Sequence, residues 1–187
     1  MKTALIIIAI LVVIGIIYAV IYNGLVQLRT HAQESWSQID VQLQRRNDLI
    51  PNLVSTVKGY SKYEGGVLTK VTHLRSELND VSDSDHAKKM AVSNELSGTL
   101  KSLFAVAENY PDLKASTEYQ QLMEELSNTE NKIAYSRQLY NTTVATLNAR
   151  VQSFPANIVA KIQGFTQMDY LKVPEEDKSV PKVNFDN

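Results

Sequence analysis

Residues 43–54, "LQRRNDLIPNLV", decide how the first half of the chain folds. On both sides of this stretch apolar side chains recur at helical spacing, but the stretch itself holds two arginines, an Asn-Asp pair and a proline. Two structures fit the pattern. Either one helix ends here and another begins after a tight corner, or a single long helix continues with a kink and carries a charge among its apolar positions.

The apolar positions on either side of the stretch share one helical phase. In steps of seven residues, one line along a helix passes through positions 32, 39, 46, 53 and 60, and its neighbour passes through 36, 43, 50 and 57. Two separate helices would keep this phase only by chance. The corner has support of its own, because Arg45 and Arg46 suit a helix C-terminus. Asp48 would then be an N-cap, and Pro51 would lie in a first turn.

Residues 4–22, "ALIIIAILVVIGIIYAVIY", form an apolar run, and no charged residue occurs between Lys2 and Arg29. As a helix the run spans roughly 28 Å, about the thickness of a bilayer's hydrocarbon core. A cleaved signal peptide would have a shorter apolar region and a small-x-small cleavage site. We therefore expect a retained, single-pass N-terminal anchor in the cell membrane. Basic residues do not differ clearly between its two ends, so the side of the following domain stays open.

The anchor also bears on the choice at residues 43–54. A helix that leaves the membrane at Tyr22 and ends at Arg46 rises only about 35 Å. A helix returning as far as Leu78 would be longer and would run into the bilayer. We therefore predict one helix from residue 24 to about 64, kinked at Pro51 because this residue cannot bond to the Asn47 carbonyl.

Helical periodicity continues through the rest of the chain. Gly65-Gly66 is a second weak point, and the helix resumes to about Asn79. Further helices are predicted over about residues 85–109 and 117–153, the latter starting with a capping box of Thr117 and Gln120. A short helix is predicted over about residues 156–163.

The predicted fold is all-α. An N-terminal transmembrane helix is followed by an antiparallel up-and-down bundle of three long helices plus a short fourth, because short loops between long helices favour antiparallel neighbours. The expected domains are the anchor, residues 1–23, the bundle, residues 24–165, and a polar C-terminal tail, residues 166–187. The tail holds two prolines and is expected to be extended or disordered.

Charged residues fall on the predicted core lines. Arg46 shares a line with Ile39 and Leu53, and buried charges are costly unless they are paired. The candidate buried polar cluster consists of Arg46, Asp48, Glu108, Glu130 and Arg137. The favoured interpretation of this cluster is a layer of ion pairs that fixes the register of the helices. The alternatives are a binding or catalytic cluster inside the bundle, or side chains at the edge with their heads in water.

No catalytic pattern is present among the 187 residues. The sequence lacks a His-Glu-x-x-His pair, a glycine-rich phosphate loop and a Gly-x-Ser-x-Gly elbow. His73 and Glu77 share a helix face, but no second Glu-x-x-His-type pair exists for a two-metal carboxylate site. There is no cysteine, and the net charge of −1 with dispersed basic residues gives no case for nucleic acid. We expect neither an enzyme nor a metal or cofactor site.

The chain resembles the LemA family of bacterial membrane proteins over nearly its whole length. The likeness is carried by "YNGLVQLR", "AQESWSQIDVQLQRRNDLIPNLVSTVKGY", "LFAVAENYPDLKAS", "LMEELSNTENKIAYSRQLYN" and "FPANIVAKIQGF". One departure is "KYEGGVL", residues 62–68, where the family usually has a His-Glu pair and no Gly-Gly.

The resemblance implies one N-terminal anchor helix and an antiparallel bundle of up to four helices. It implies no established catalytic activity. Some relatives are associated with magnetosome membranes and others are encoded near membrane proteases, and the family's usual topology puts the short N-terminus outside and the bundle in the cytoplasm. These associations point to membrane organisation or envelope maintenance.

From these observations the expected function is that of a membrane-anchored scaffold of the bacterial cell envelope. Its expected partners are the lipid bilayer and either a second copy or another membrane protein. The alternative is a sensor or small-ligand-binding module that uses the polar cluster near Arg46, Glu130 and Arg137.

Overall fold

A computed structural model of the chain describes residues 1–60 and 66–172. Of these residues 86% are helical and none lies in a strand. The all-α class is therefore confirmed. The possible bend at Gly65-Gly66 and most of the predicted polar tail fall outside the described residues.

The helices are α1 (Lys2–Tyr60), α2 (Gly66–Asp80), α3 (His86–Ala107), α4 (Pro111–Lys114), α5 (Thr117–Gln152) and α6 (Ala156–Gln163). The bounds of α3, α5 and α6 lie within two residues of those predicted from the sequence. α4 was not predicted, although Pro111 at its first position is a common start signal.

Residues 43–54 lie inside α1, which continues through Pro51. The chain does not reverse at Asn47 and Asp48, so the corner hypothesis is wrong. The continuous helix is confirmed as far as Tyr60, and the predicted last turn to residue 64 lies outside the described residues. The kink at Pro51 stays a prediction.

Local hydrogen bonds explain where the later helices begin and end. Asp85 caps α3, because its Oδ1 accepts a hydrogen bond from the Lys88 backbone N–H at 3.0 Å. The predicted capping box of α5 is wrong by one residue, since Ser116 Oγ accepts from the Tyr119 backbone N–H at 3.3 Å. α6 ends at Gly164, whose φ of 70° is the left-handed conformation that favours glycine.

The described helices divide into two compact units. Among the described residues, unit 1 consists of Met1–Val41 and Lys132–Tyr170, and unit 2 consists of residues 42–60, 66–131 and 171–172. Each of the long helices α1 and α5 contributes residues to both units. The predicted domain boundaries at residues 23 and 165 stay predictions.

Unit 2 has a continuous apolar core, and α2 packs on α3 within it. The buried core residues are Ile50, Leu53 and Val57 from α1, Leu68, Val71, Leu74 and Leu78 from α2, Val92, Leu96, Leu100, Leu103 and Ala107 from α3, and Tyr119 and Leu126 from α5, together with Val81 and Leu113. Of the positions predicted from the phase across Pro51, residues 50, 53 and 57 belong to this core. Ala32, Trp36, Ile39 and Leu43, before the proline, are buried as well.

In unit 1, helix α1 pairs with α5 and α6. Trp36 meets Tyr140 edge to face, with ring centroids 6.1 Å apart. Earlier in α1, Ile21 and Leu25 pack against residues 156–160. Ser35 Oγ lies 3.5 Å from Thr143 Oγ1, one residue earlier on α1 and three residues later on α5 than the Trp36–Tyr140 pair. These segments of α1 and α5 therefore run in opposite directions.

The first part of α1 contacts little else in the structure. Residues 1–17 are all exposed, including the apolar side chains of Leu5, Ile10 and Ile14. Within the described residues, α1 is the single helix long and apolar enough to cross a membrane, judged by length and composition.

Candidate functional site

Arg46 is the largest fully buried side chain of the described residues, with 1% of its surface exposed. Its Nη1 donates hydrogen bonds to Ser97 Oγ at 2.6 Å and to Glu130 Oε2 at 2.8 Å. Its Nη2 donates to Ser93 Oγ at 2.5 Å and to the Ser93 carbonyl at 3.1 Å. The guanidinium of α1 thus binds α3 and α5 together within unit 2.

The partners of Arg46 are also bonded to one another. Ser97 Oγ lies 3.1 and 3.0 Å from the two Glu130 carboxylate oxygens and 3.2 Å from the Ser93 carbonyl. Glu130 itself is not enclosed, since 40% of its side chain is exposed. We call Arg46, Ser93, Ser97 and Glu130 the arginine layer. Water reaches it from the Glu130 side.

Two of the five predicted cluster residues lie on the surface instead. Asp48 is exposed and accepts a hydrogen bond from Gln44 Nε2 at 2.9 Å, one turn earlier on α1. Glu108, just past the end of α3, is exposed and pairs with Lys114. Their placement in the buried cluster was wrong, because neither residue lies on a buried face of its helix.

Arg137 is buried, with 7% of its surface exposed, and it belongs to unit 1. It follows Glu130 by two turns of α5, a rise of about 10 Å. The structure therefore brings Arg46 and Glu130 together in unit 2 and places Arg137 in the other unit.

Sequence reasoning missed Ser93 and Ser97, which supply most of the hydrogen bonds to Arg46. Small hydroxyl residues carry no periodic apolar signal. A signal was nevertheless available, since Ser93 and Ser97 are four residues apart and hence on one face of α3. Leu96 and Leu100 lie on the same side of this helix and are buried.

The chemistry open to the arginine layer is limited. A buried guanidinium stays charged and cannot act as an acid or base near neutral pH. Among the described residues no group of three or more His, Cys, Asp or Glu side chains is placed to hold a metal ion. The layer is suited to holding three helices in register, and Glu130 is its one ionisable contact with water.

A groove of about 550 Å³ lies elsewhere in unit 2, between α2 and α3. Its lining includes Lys70 and Glu95, whose charged groups pair at 2.9 Å, but no residue of the arginine layer. The groove therefore adds no ligand space next to Arg46.

Burial changes the titration of one aromatic residue in unit 1. Burial raises the pKa of the Tyr140 hydroxyl, and the nearby carboxylate of Asp169 raises it further. The hydroxyl donates to the Asp169 carbonyl at 3.4 Å. The ring of Tyr140 packs edge to face on Trp36.

Comparison with known proteins identifies the family. The family model described as the LemA family matches residues 35–185. The chain belongs to the LemA family. The match begins after the apolar run and includes all five residues of the predicted cluster, so it confirms the resemblance seen in the sequence blocks.

Three relatives are similar over most of this LemA-family chain. Protein LemA of Metamycoplasma hominis is 30% identical over 151 residues, which cover 79% of this chain and 68% of the relative. Magnetosome protein MamQ of Magnetospirillum gryphiswaldense is 25% identical, covering 80% and 64%. Magnetosome protein MamQ 2 of Paramagnetospirillum magneticum is 26% identical, covering 90% and 72%. None of these names denotes an enzyme.

Proposed function

We propose that the protein is a membrane-anchored helical scaffold of the bacterial cell envelope, which self-associates or binds another membrane protein and has no catalytic chemistry of its own. The observation that carries this proposal is the continuity of α1. The same helix runs without a break from the exposed residues 4–17 into packed residues of each unit. Because the apolar run and the packed residues share one helix, anchoring of the run holds the folded part at the membrane.

The anchor is supported by the free energy that the apolar residues at the start of α1 would cost if they were exposed to water. Each Å² of apolar surface in water costs roughly 25 cal/mol. From Leu5 to Val20 the Ile, Leu and Val side chains are about half exposed or more, for example 66% at Leu5 and 65% at Val20. A bilayer covers a surface of this length, and we therefore propose a single-pass N-terminal anchor in the cell membrane.

For the folded part we propose an antiparallel up-and-down bundle. Two observations support it, each within one unit. In unit 1, α5 runs opposite to α1, as the pairs Trp36 with Tyr140 and Ser35 with Thr143 indicate. In unit 2, α2 and α3 pack on each other and are joined by only five residues, 81–85, which favours antiparallel neighbours.

The arginine layer favours a scaffold over the alternative of a ligand sensor. Arg46 is 1% exposed, and both of its terminal nitrogens already donate to Ser93, Ser97 or Glu130. A ligand would have to displace these contacts. Buried polar residues that fix helix register are the better-attested role, and a fixed register suits a protein that presents a constant surface.

The relatives' names support a role at membranes. Two of them are called magnetosome proteins. For the present chain we take these names as support for a role in membrane organisation. The partner is therefore proposed by class: a second copy of the chain or another membrane protein.

The proposal is tested by crosslinking in native membranes. The chain has no cysteine, so single-cysteine variants report on one position each. Val41 on α1 and Tyr135 on α5 are large, apolar or aromatic, and 63% and 69% exposed. Val41→Cys or Tyr135→Cys should give a disulfide-linked dimer or one defined adduct. The polar, exposed Thr142→Cys is the matched control. A protein that stays monomeric and without a partner at every exposed position would contradict the scaffold.

A further inference from the structure

Helix α6 is apolar on two opposite sides. One side, Ala156, Val159 and Ala160, is buried against α1. The other side carries Ile158 and Ile162, which are four residues apart and therefore share a face. They are 53% and 66% exposed. Helices of water-soluble proteins usually turn such a face inward, so this one requires a different environment.

Phe154 adds to the exposed surface at the start of α6. It lies two residues before the helix and is 80% exposed. We call Phe154, Ile158 and Ile162 the α6 patch. Single exposed apolar residues are normal on a protein surface, but a large aromatic and two isoleucines this close together along the chain are not.

The α6 patch lies at the end of the apolar run of α1, and three contacts hold it there. The buried side of α6 packs on Ile21, the second-last residue of the run. Gln163 Nε2 donates a hydrogen bond to the Tyr18 hydroxyl. Phe165 meets Tyr22 edge to face, with ring centroids 6.1 Å apart. If the run spans a bilayer, its end lies at the headgroup level and α6 lies there with it.

The charged residues near the α6 patch complement a phospholipid surface. No Asp or Glu occurs between Glu130 and Asp169, nor before Glu34. Lys161, next to Ile162 in sequence, and Arg150, in the last turn of α5, are both exposed. Long basic side chains extend their charged ends to phosphate groups while their stems cover apolar surface.

We propose that α6 is a second membrane contact, which lies in the interface between headgroups and acyl chains with Phe154, Ile158 and Ile162 inserted and Lys161 at the phosphates. This inference rests on the proposed anchor. Interfacial helices bury their apolar face about 5–10 Å into this boundary. A contact of this kind fixes the rotation and tilt of the folded part relative to the membrane, which one spanning helix alone leaves free.

The experiment places a fluorophore in the full-length protein in vesicles of zwitterionic and anionic phospholipid. Single-cysteine variants Ile158→Cys and Ile162→Cys are labelled with an environment-sensitive dye. Quenching is then compared between lipids with a nitroxide near the headgroup and lipids with a nitroxide deep in the acyl chain. Val13→Cys, in the middle of the run, is the depth control. Gln38→Cys, a polar exposed position roughly 24 Å beyond Tyr22 along α1, is the control for a site in water.

The expected result is strong quenching at positions 158 and 162 by the headgroup nitroxide and weaker quenching by the deep one. Position 13 should show the reverse order, and position 38 should show quenching by neither nitroxide. Quenching at 13 without quenching at 158 and 162 would overturn the α6 contact and leave the anchor intact. A disulfide between two copies at position 162 with no lipid quenching would assign the patch to self-association instead. Lack of quenching at position 13 would overturn the anchor, and the α6 contact with it.

Discussion

Ile14 and Arg46 lie on the same helix, and their exposures are the reverse of the usual ones. In a protein surrounded by water, isoleucine is most often buried and arginine mostly exposed. Ile14 is 56% exposed, and Arg46 is 1% exposed. The start of α1 exposes its most apolar residues, whereas its later part buries a permanent charge.

The difference teaches that burial follows what surrounds a side chain and not its polarity alone. Arg46 is tolerated because Ser93, Ser97 and Glu130 replace the water it has lost. Ile14 keeps more than half of its surface exposed among the described residues, and this exposure fits a lipid environment. The two environments make different predictions for substitutions along one helix.

The largest effect is expected when charge is placed in the apolar run. The double substitution Ile10→Arg and Ile14→Arg should oppose insertion by about 5–7 kcal/mol, since each arginine near the middle of a span costs about 2.5–3.5 kcal/mol. The fraction of protein that stays with membranes after an alkaline wash should fall sharply. Val41→Arg, exposed on the same helix, should leave that fraction unchanged. Equal retention of both variants would remove the lipid explanation for Ile14.

The next largest effect is expected at the arginine layer. Glu130→Ala should lower the free energy of unfolding by about 3 kcal/mol, the low end for breaking a buried pair, because water can reach Arg46 from the exposed side of Glu130. Thermal unfolding in detergent, followed by circular dichroism, measures the change. The control is Glu125→Ala on the same helix. Its carboxylate pairs with Arg45 at 2.6 Å, and both side chains are 46% exposed, so the loss should stay under about 1 kcal/mol.

A double substitution in the arginine layer distinguishes a structural role of Arg46 from a role in binding a partner. Replacing Arg46 by Met together with Glu130 by Leu removes both charges and keeps most of the packed volume. Stability should recover to within about 1 kcal/mol of the original or exceed it, because the desolvation cost of the guanidinium disappears with it. Crosslinking at Val41→Cys should be unchanged. Loss of the partner in a protein of recovered stability would instead make Arg46 a recognition residue.

Periodicity predicted most of what depends on one helix at a time. The phase across Pro51 placed Arg46 on the buried side of a continuous α1, which is where it lies. Helix bounds were predicted to within a few residues, because caps, prolines and glycines act locally. The class of fold followed from these elements.

The composition of the site depended on contacts between helices, and the sequence predicted it less well. Asp48 and Glu108 were assigned to the cluster by proximity to a predicted core line or helix end, not by phase. Ser93 and Ser97 were missed because serine is common on surfaces and in cores alike. A buried arginine has five donors to satisfy. Small polar residues on a facing helix are therefore expected partners of Arg46, and Ser93 and Ser97 meet this requirement.

A smaller effect is expected at Pro51, which lies five residues beyond Arg46 in the later part of α1. Pro51 is exposed and lies inside the helix, where it removes one backbone hydrogen bond. Pro51→Ala should raise the free energy of unfolding by no more than about 1 kcal/mol, since the bond regained is offset by the greater freedom of the unfolded chain. Thermal unfolding beside Asn52→Ala, an exposed neighbour, measures it. Marked destabilisation would mean that the packing of α1 requires the bend that proline imposes.

The smallest effect concerns Lys89, another buried cation, whose partner Asp83 is 87% exposed. Lys89 is 8% exposed, and its Nζ donates to Asp83 Oδ1 at 2.7 Å. This hydrogen bond, with the positive charge of Lys89, lowers the pKa of the Asp83 carboxyl from its ordinary value. A depressed carboxyl pKa stabilises the fold above the ordinary value of about 3.9, and the contribution is lost as pH falls through the folded-state value. Because Asp83 is fully exposed, water screens the pair and the change in stability should be slight. Lys89→Gln should return the Asp83 pKa to its ordinary value in a carboxyl-carbon NMR titration, whereas Lys88→Gln should not; an unchanged titration in Lys89→Gln would assign the lowered pKa to another group.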